Sequence, residues 1–258
     1  MLKKQDMSNA AYSEEYHRRN EEFYGRFFAN ATITEEEPAV IAPDITLLKK
    51  YCEVSQEEPP TYWAGSDNDI FIDGKKVYSF RSVDEDGTFC KLITHSNGKR
   101  YLIFRRDLYG YSLLEIETLR DFHYFPACHL KPNAETFIWT DVLYNSNSNL
   151  MVVDGCYWAC PWDLALVDFS DPLQPAENQV CISFKKDVGT INSYRWEGTD
   201  LIIRSSHSKW MEGKEPQKGQ SYDGHYITEF TTKTYRKHKL SEALCRKWLA
   251  EGNYVGRK

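Results

Sequence analysis

Between residues 89 and 230 one pattern of apolar and polar positions recurs three times: apolar strand, short polar turn, apolar strand, longer loop, third strand. First strands are predicted at 89–95, 138–144 and 191–196, with turns at 96–100, 145–149 and 197–200. Second strands begin at Tyr101, Leu150 and Leu201, spacings of 49 and 51 residues. Third strands align on an apolar–acidic–apolar step: Leu113-Leu114-Glu115-Ile116, Leu166-Val167-Asp168-Phe169 and Ile227-Thr228-Glu229-Phe230. Upstream, two apolar runs within 69–80 flank Asp73-Gly74, the strongest short-range hairpin signal.

Units of this period and strand order resemble the blades of a β-propeller, over residues 62–237. The resemblance rests on repeated strand order; the units carry neither a closing Trp-Asp dipeptide nor a kelch-type diglycine. Counting the Asp73-Gly74 hairpin gives about four units. The expected fold is therefore all-β and antiparallel in a propeller-like arrangement, with a β-sandwich or a barrel as the alternative.

Helical spacing appears only at the ends. In 9–29, Tyr12, Tyr16, Phe23 and Phe27 return to one face among charged residues, which predicts an amphipathic helix docked on the sheets. In 241–251, Ser241 suits an N-cap, Leu244, Cys245, Trp248 and Leu249 share a face, and Gly252 suits a stop. The proline-marked acidic stretches 35–38 and 55–60 read as connections, with a short strand or helical turn between them. The whole, 1–258, is expected to form one domain.

Composition adds little except aromatic residues, at 14%. The net charge of −6 is uneven: residues 1–60 hold 7 Lys and Arg against 12 Asp and Glu, whereas 201–258 hold 12 against 6. Basic motifs interleaved with aromatics are missing, so nucleic acid is not an expected partner. No apolar run is long enough to span a membrane and the first residues lack a leader pattern, so a soluble, cytoplasmic protein is expected. Seven scattered cysteines agree with reduced thiols.

Chemistry is expected in the loops between second and third strands, which the repeat should bring to one rim. They contribute Arg105, Tyr109 and Tyr111; Asp154, Tyr157, Trp158 and Trp162; and Trp210, Tyr222 and His225. Flat aromatic faces beside a few charges suit recognition of a protein partner or a small ligand. Cys156 and Cys160 lack the paired spacing of a zinc site, and no phosphate-cradling loop is present, so neither metal nor cofactor is expected. The function expected is non-catalytic binding or scaffolding. The alternative is a hydrolase acting on a sugar or ester, with Asp107, Asp154, Asp163, His207 or His225 as acid–base residues.

Overall fold

The computed structural model describes residues 5–56, 61–82, 89–132, 134–157, 162–216 and 230–252. Strands dominate, in four antiparallel sheets, each built from strands consecutive in the chain. The first holds β1 (Thr32–Ala42), β2 (Ile45–Gln56), β3 (Thr61–Ile72) and β4 (Lys75–Ser82). The second holds β5 (Cys90–Thr94), β6 (Arg100–Phe104), β7 (Tyr111–Glu115) and β8 (Asp121–Tyr124). The third holds β9 (Ile138–Asn145), β10 (Leu150–Cys156), β11 (Asp163–Asp168) and β12 (Gln179–Cys181). The fourth holds β13 (Thr190–Glu197), β14 (Asp200–Trp210) and β15 (Thr231–Leu240). Among the described residues no sheet closes on itself, so the barrel alternative falls away.

Turn chemistry explains the hairpins. Asp73 (φ 49°) and Gly74 (φ 75°) are both left-handed, as the tight turn joining twisted antiparallel strands requires. Asn149 and Gly198 supply the same backbone sign after β9 and β13. The second and third sheets each gain a short fourth strand, β8 and β12, beyond the three expected. In the third unit the strand paired with β14 is β15, beginning at Thr231; the expected strand at 227–230 lies, apart from Phe230, outside the described residues.

The acidic stretch 35–38 is a correction to the sequence reading: it belongs to β1 rather than to a connection. Register explains this. Glu36 lies opposite Lys50 and Glu37 opposite Lys49, so cross-strand charge pairing replaces the missing apolar residues. β1 is also an edge strand, where Pro38 need not break a ladder on both sides. In the second acidic stretch, Ser55 and Gln56 extend β2, and 57–60 lie outside the described residues.

The sheets stack face to face in chain order. Leu102, Phe104, Leu114 and Ile116 pack with Ile45, Leu47, Ile70 and Phe80 of the first sheet. Their neighbours Tyr101, Ile103, Tyr111 and Leu113 face the third sheet, meeting Trp139, Met151, Val153 and Val167. Leu150, Val152, Leu164 and Leu166 in turn meet Leu201, Ile203 and Leu240 of the fourth. Strands covered on both faces account for the continuous apolar runs in β6 and β10.

Helix α1 (Glu14–Asn30) begins at Ser13, whose hydroxyl accepts from the Tyr16 amide, with Glu14 and Glu15 at the positive end of its dipole. A four-residue helix, α2 (Ile182–Lys185), follows β12. Helix α3 (Glu242–Glu251) is capped by Ser241 and stops at Gly252 (φ 73°), and Cys245, Trp248 and Leu249 cover the core between the third and fourth sheets. The carboxyl-terminal reading of the sequence is thus borne out.

Candidate functional site

Two places gather polar and aromatic side chains. The first lies under α1. Tyr16 and Tyr24 direct their hydroxyls at Asp107, in the loop after β6, donating to Oδ2 at 2.7 Å and to Oδ1 at 2.5 Å. His123 of β8 adds a third contact, Nε2 to Asp107 Oδ2 at 2.9 Å, and its Nδ1 meets Ser112 Oγ at 2.7 Å. Asp107, Ser112, His123 and Tyr16 are all buried.

Burial alone would push the Asp107 carboxyl up. Donation from His123, Tyr24 and Tyr16 outweighs it and holds the group below the usual carboxylate range. Burial, followed by the Asp107 charge, pushes both phenols well above their ordinary value. The network is therefore a carboxylate held by three donors.

Serine, histidine and aspartate are the residue types of a nucleophilic triad, but the geometry does not serve one. Ser112 is 1% exposed in the middle of a sheet, out of reach of a substrate carbonyl. Both imidazole nitrogens are already engaged. What this arrangement does is fasten α1 to the second sheet.

Beside the network, α1 and the outer face of the first sheet enclose an open cleft of about 820 Å³. On its floor Asp69 accepts from Lys50 at 2.8 Å and from Ser79 at 2.7 Å, and pairs with Lys76. Burial acts to raise the Asp69 carboxyl, but these donors prevail and hold it at about 2.

The second place is the loop rim. Trp162 is 63% exposed and Phe184, in α2, 40%. Asp163 follows Trp162 and accepts a hydrogen bond from Ser183, which precedes Phe184, so the two exposed rings flank one polar tie. Tyr157 stacks on Phe184 with centroids 5.8 Å apart. Asp163 also accepts from the Leu164 amide.

The other residues singled out from the sequence are distributed more widely. Arg105 is buried and donates from Nη1 to the Trp139 carbonyl at 2.9 Å; desolvation lowers its pKa to about 10. Since Trp139 lies opposite Gly155, this contact ties the loop after β6 to the same end of the stack as the loop after β10. Tyr109 stacks on His129 at 3.6 Å. Tyr111 is fully buried in β7, stacked on Trp139 at 4.4 Å, its hydroxyl accepting from the Ala176 amide. Asp154 accepts from the Tyr194 hydroxyl, and burial raises its pKa. Trp210 ends β14 and is half-buried. Trp158, Tyr222 and His225 lie outside the described residues.

Sequence reasoning missed Tyr24, His123 and Phe184 as site residues. Nothing local marks them: the first two acquire their role only from Asp107, 83 and 16 residues away. Among the described residues no three of His, Cys, Asp and Glu are grouped as a metal ion would need. No helix among them is long and apolar enough to cross a membrane. Comparison of the chain with protein-family models and with curated proteins gives no match.

Proposed function

We propose that the protein is a non-catalytic binding or scaffolding protein that recognises a protein partner, with the aromatic rim as its contact surface. The observation that carries this reading is the exposure of Trp162 and Phe184 around the fixed Asp163–Ser183 hydrogen bond. Large aromatic rings exposed at a surface anchor interfaces, because they bury much area at little conformational cost. The hydrolase reading finds less support, since the carboxylates of Asp107 and Asp163 are already occupied by internal donors.

A propeller-like arrangement belongs to the same proposal, supported by the stacking of the sheets in chain order. So does a cytoplasmic setting, supported by free thiols such as Cys52, Cys90 and Cys181.

The test is affinity capture from extracts of the source cells with four baits: wild type, Trp162→Ala, Phe184→Ser and, as a control on another sheet, Tyr235→Ala. A partner held by wild type and Tyr235→Ala but lost from both rim variants supports the proposal. Equal capture by all four baits, or none by any, removes the rim from consideration.

A further inference from the structure

The outer face of the fourth sheet is charged rather than apolar. Leu201, Ile203 and Leu240 point inward to the third sheet, so the residues alternating with them on β14 and β15, and their cross-strand neighbours on β13, stand on the opposite side. Register lays these out in rows across the strands. Arg195, Ile202 and Lys239 make one row and Ser193, Arg204 and Lys237 the next; Ser206 beside Tyr235, then Ser208 beside Lys233, continue the series. Successive rows are about 7 Å apart, so the cations form a track about 20 Å long with Tyr235 inside it.

Ile202 and Ser206 are buried along the middle strand, while Arg195, Arg204, Lys233, Lys237 and Lys239 stay exposed around them. Tyr235 is 73% exposed, more than Trp162 or Phe184 at the rim. Among the described residues the face sets these five cations against two acids, Glu197 and Asp200. Glu197 is shared by Arg195 and Lys237, and Asp200 takes Lys239 at 2.7 Å. Three positive charges are thus in surplus on a protein whose net charge is −6. The linear sequence hides this face, because its charges come from three strands and are gathered only by register.

We propose that this face binds single-stranded nucleic acid, with phosphates on the cationic track and a base stacked on Tyr235. Phosphates repeat along such a strand and every base has a flat π-face, so one ligand uses both features. An acidic protein segment would meet the cations and leave the ring without a counterpart. A three-stranded face is also too broad for a duplex groove, which admits one helix or a two-stranded ribbon. Binding weakens with added salt, because pairing with the phosphates releases their condensed counterions.

The full chain is titrated, by fluorescence anisotropy, with labelled oligouridylate and oligothymidylate of about ten nucleotides, within the usual footprint of single-strand binding faces. A labelled DNA duplex of similar length and labelled polyglutamate of similar charge serve as comparisons. Expected is saturable binding of at least one single strand, tighter than that of duplex or polyglutamate. Arg204→Gln and Lys237→Gln combined should lose tenfold or more and flatten the salt dependence. Tyr235→Ala should lose about tenfold with the salt dependence unchanged, and Tyr235→Phe should lose little. Lys75→Gln, at the β3–β4 turn, and Trp162→Ala, at the rim, should bind as wild type does, which separates this outcome from that of the rim. No saturable binding of either strand, equal or tighter binding of duplex or polyglutamate, or undiminished binding in the double variant or in Tyr235→Ala overturns the proposal.

Discussion

The hydroxyl of Tyr16 and the carboxylate of Asp107, 91 residues apart in sequence, lie 2.7 Å apart in the fold. Asp107 is the one acceptor on which two phenols of α1 and an imidazole of β8 converge. Removing it strips all three of their charged acceptor, leaving the Tyr24 hydroxyl only the Arg106 carbonyl at 3.1 Å and the Tyr16 hydroxyl only His123 Nε2.

Asp107→Ala should therefore destabilise the protein by about 3 kcal/mol, near the usual cost of stripping a buried charge from its partners. Tyr24→Phe, which deletes one donor, should cost about 1–2 kcal/mol. Urea denaturation followed by tryptophan fluorescence measures both. A loss under about 1 kcal/mol in Asp107→Ala would falsify the clamp.

His129 sets a pH dependence. Burial, and then the nearby charge of Arg19, lowers its pKa to about 4, while its ring stacks on Tyr109 and its Nε2 meets Thr136 Oγ1 at 2.8 Å. In the unfolded chain the imidazole takes its proton near pH 6.5. Between those two values the unfolded state binds more protons, so stability falls as pH drops from about 6.5 to about 4. His129→Gln should flatten that part of the stability profile. An imidazole signal from His129 that titrates at its ordinary pH would contradict the assignment.

Two glycines should respond differently to the same substitution. Gly74 has open space around its missing side chain and only its φ of 75° to defend, so Gly74→Ala should cost about 1 kcal/mol. At Gly155, where β9 bulges against β10 with Thr140 as its extra residue, an added methyl would collide with the Ile138 carbonyl oxygen and the Phe137 ring. Gly155→Ala should cost about 3 kcal/mol, because backbone on both strands must move. Thermal melts of the pair, side by side, decide whether the bulge is as tight as described.

Ser112 should be chemically silent. A serine-directed fluorophosphonate is expected to leave it unlabelled in the native protein, in keeping with its burial. Ser112→Ala should remove one hydrogen bond to His123 at a cost of about 1 kcal/mol. Stoichiometric labelling of Ser112, detected by peptide mass spectrometry, would restore the hydrolase reading.

The parts of the fold that were legible in the sequence are those fixed by local chemistry. Asp73-Gly74 can make only a narrow set of turns, and Ser241 and Gly252 mark the two ends of α3. Strands β8 and β12 were not legible, being four and three residues long and recruited by neighbouring strands instead of by their own pattern. Residues 36 and 37 misled because they lie opposite Lys50 and Lys49 across the sheet, information a linear reading lacks. At the candidate site, Tyr16 and Phe27 do sit on the buried face of α1, whereas Tyr12 and Phe23 are largely exposed and Tyr24 carries the polar contact. The stripe records apolar spacing; the position of Asp107 decides which ring is used.

Each sheet is made of strands that follow one another in the chain, so each can be completed as it leaves the ribosome. Helix α1 is the exception. It is synthesised before any of the four sheets, yet its acceptor Asp107 and its neighbour His123 arrive 91 and 107 residues after Tyr16. During synthesis this helix must wait, unanchored, until the second sheet is finished; an element made ahead of the sheets is then among the later ones to be secured.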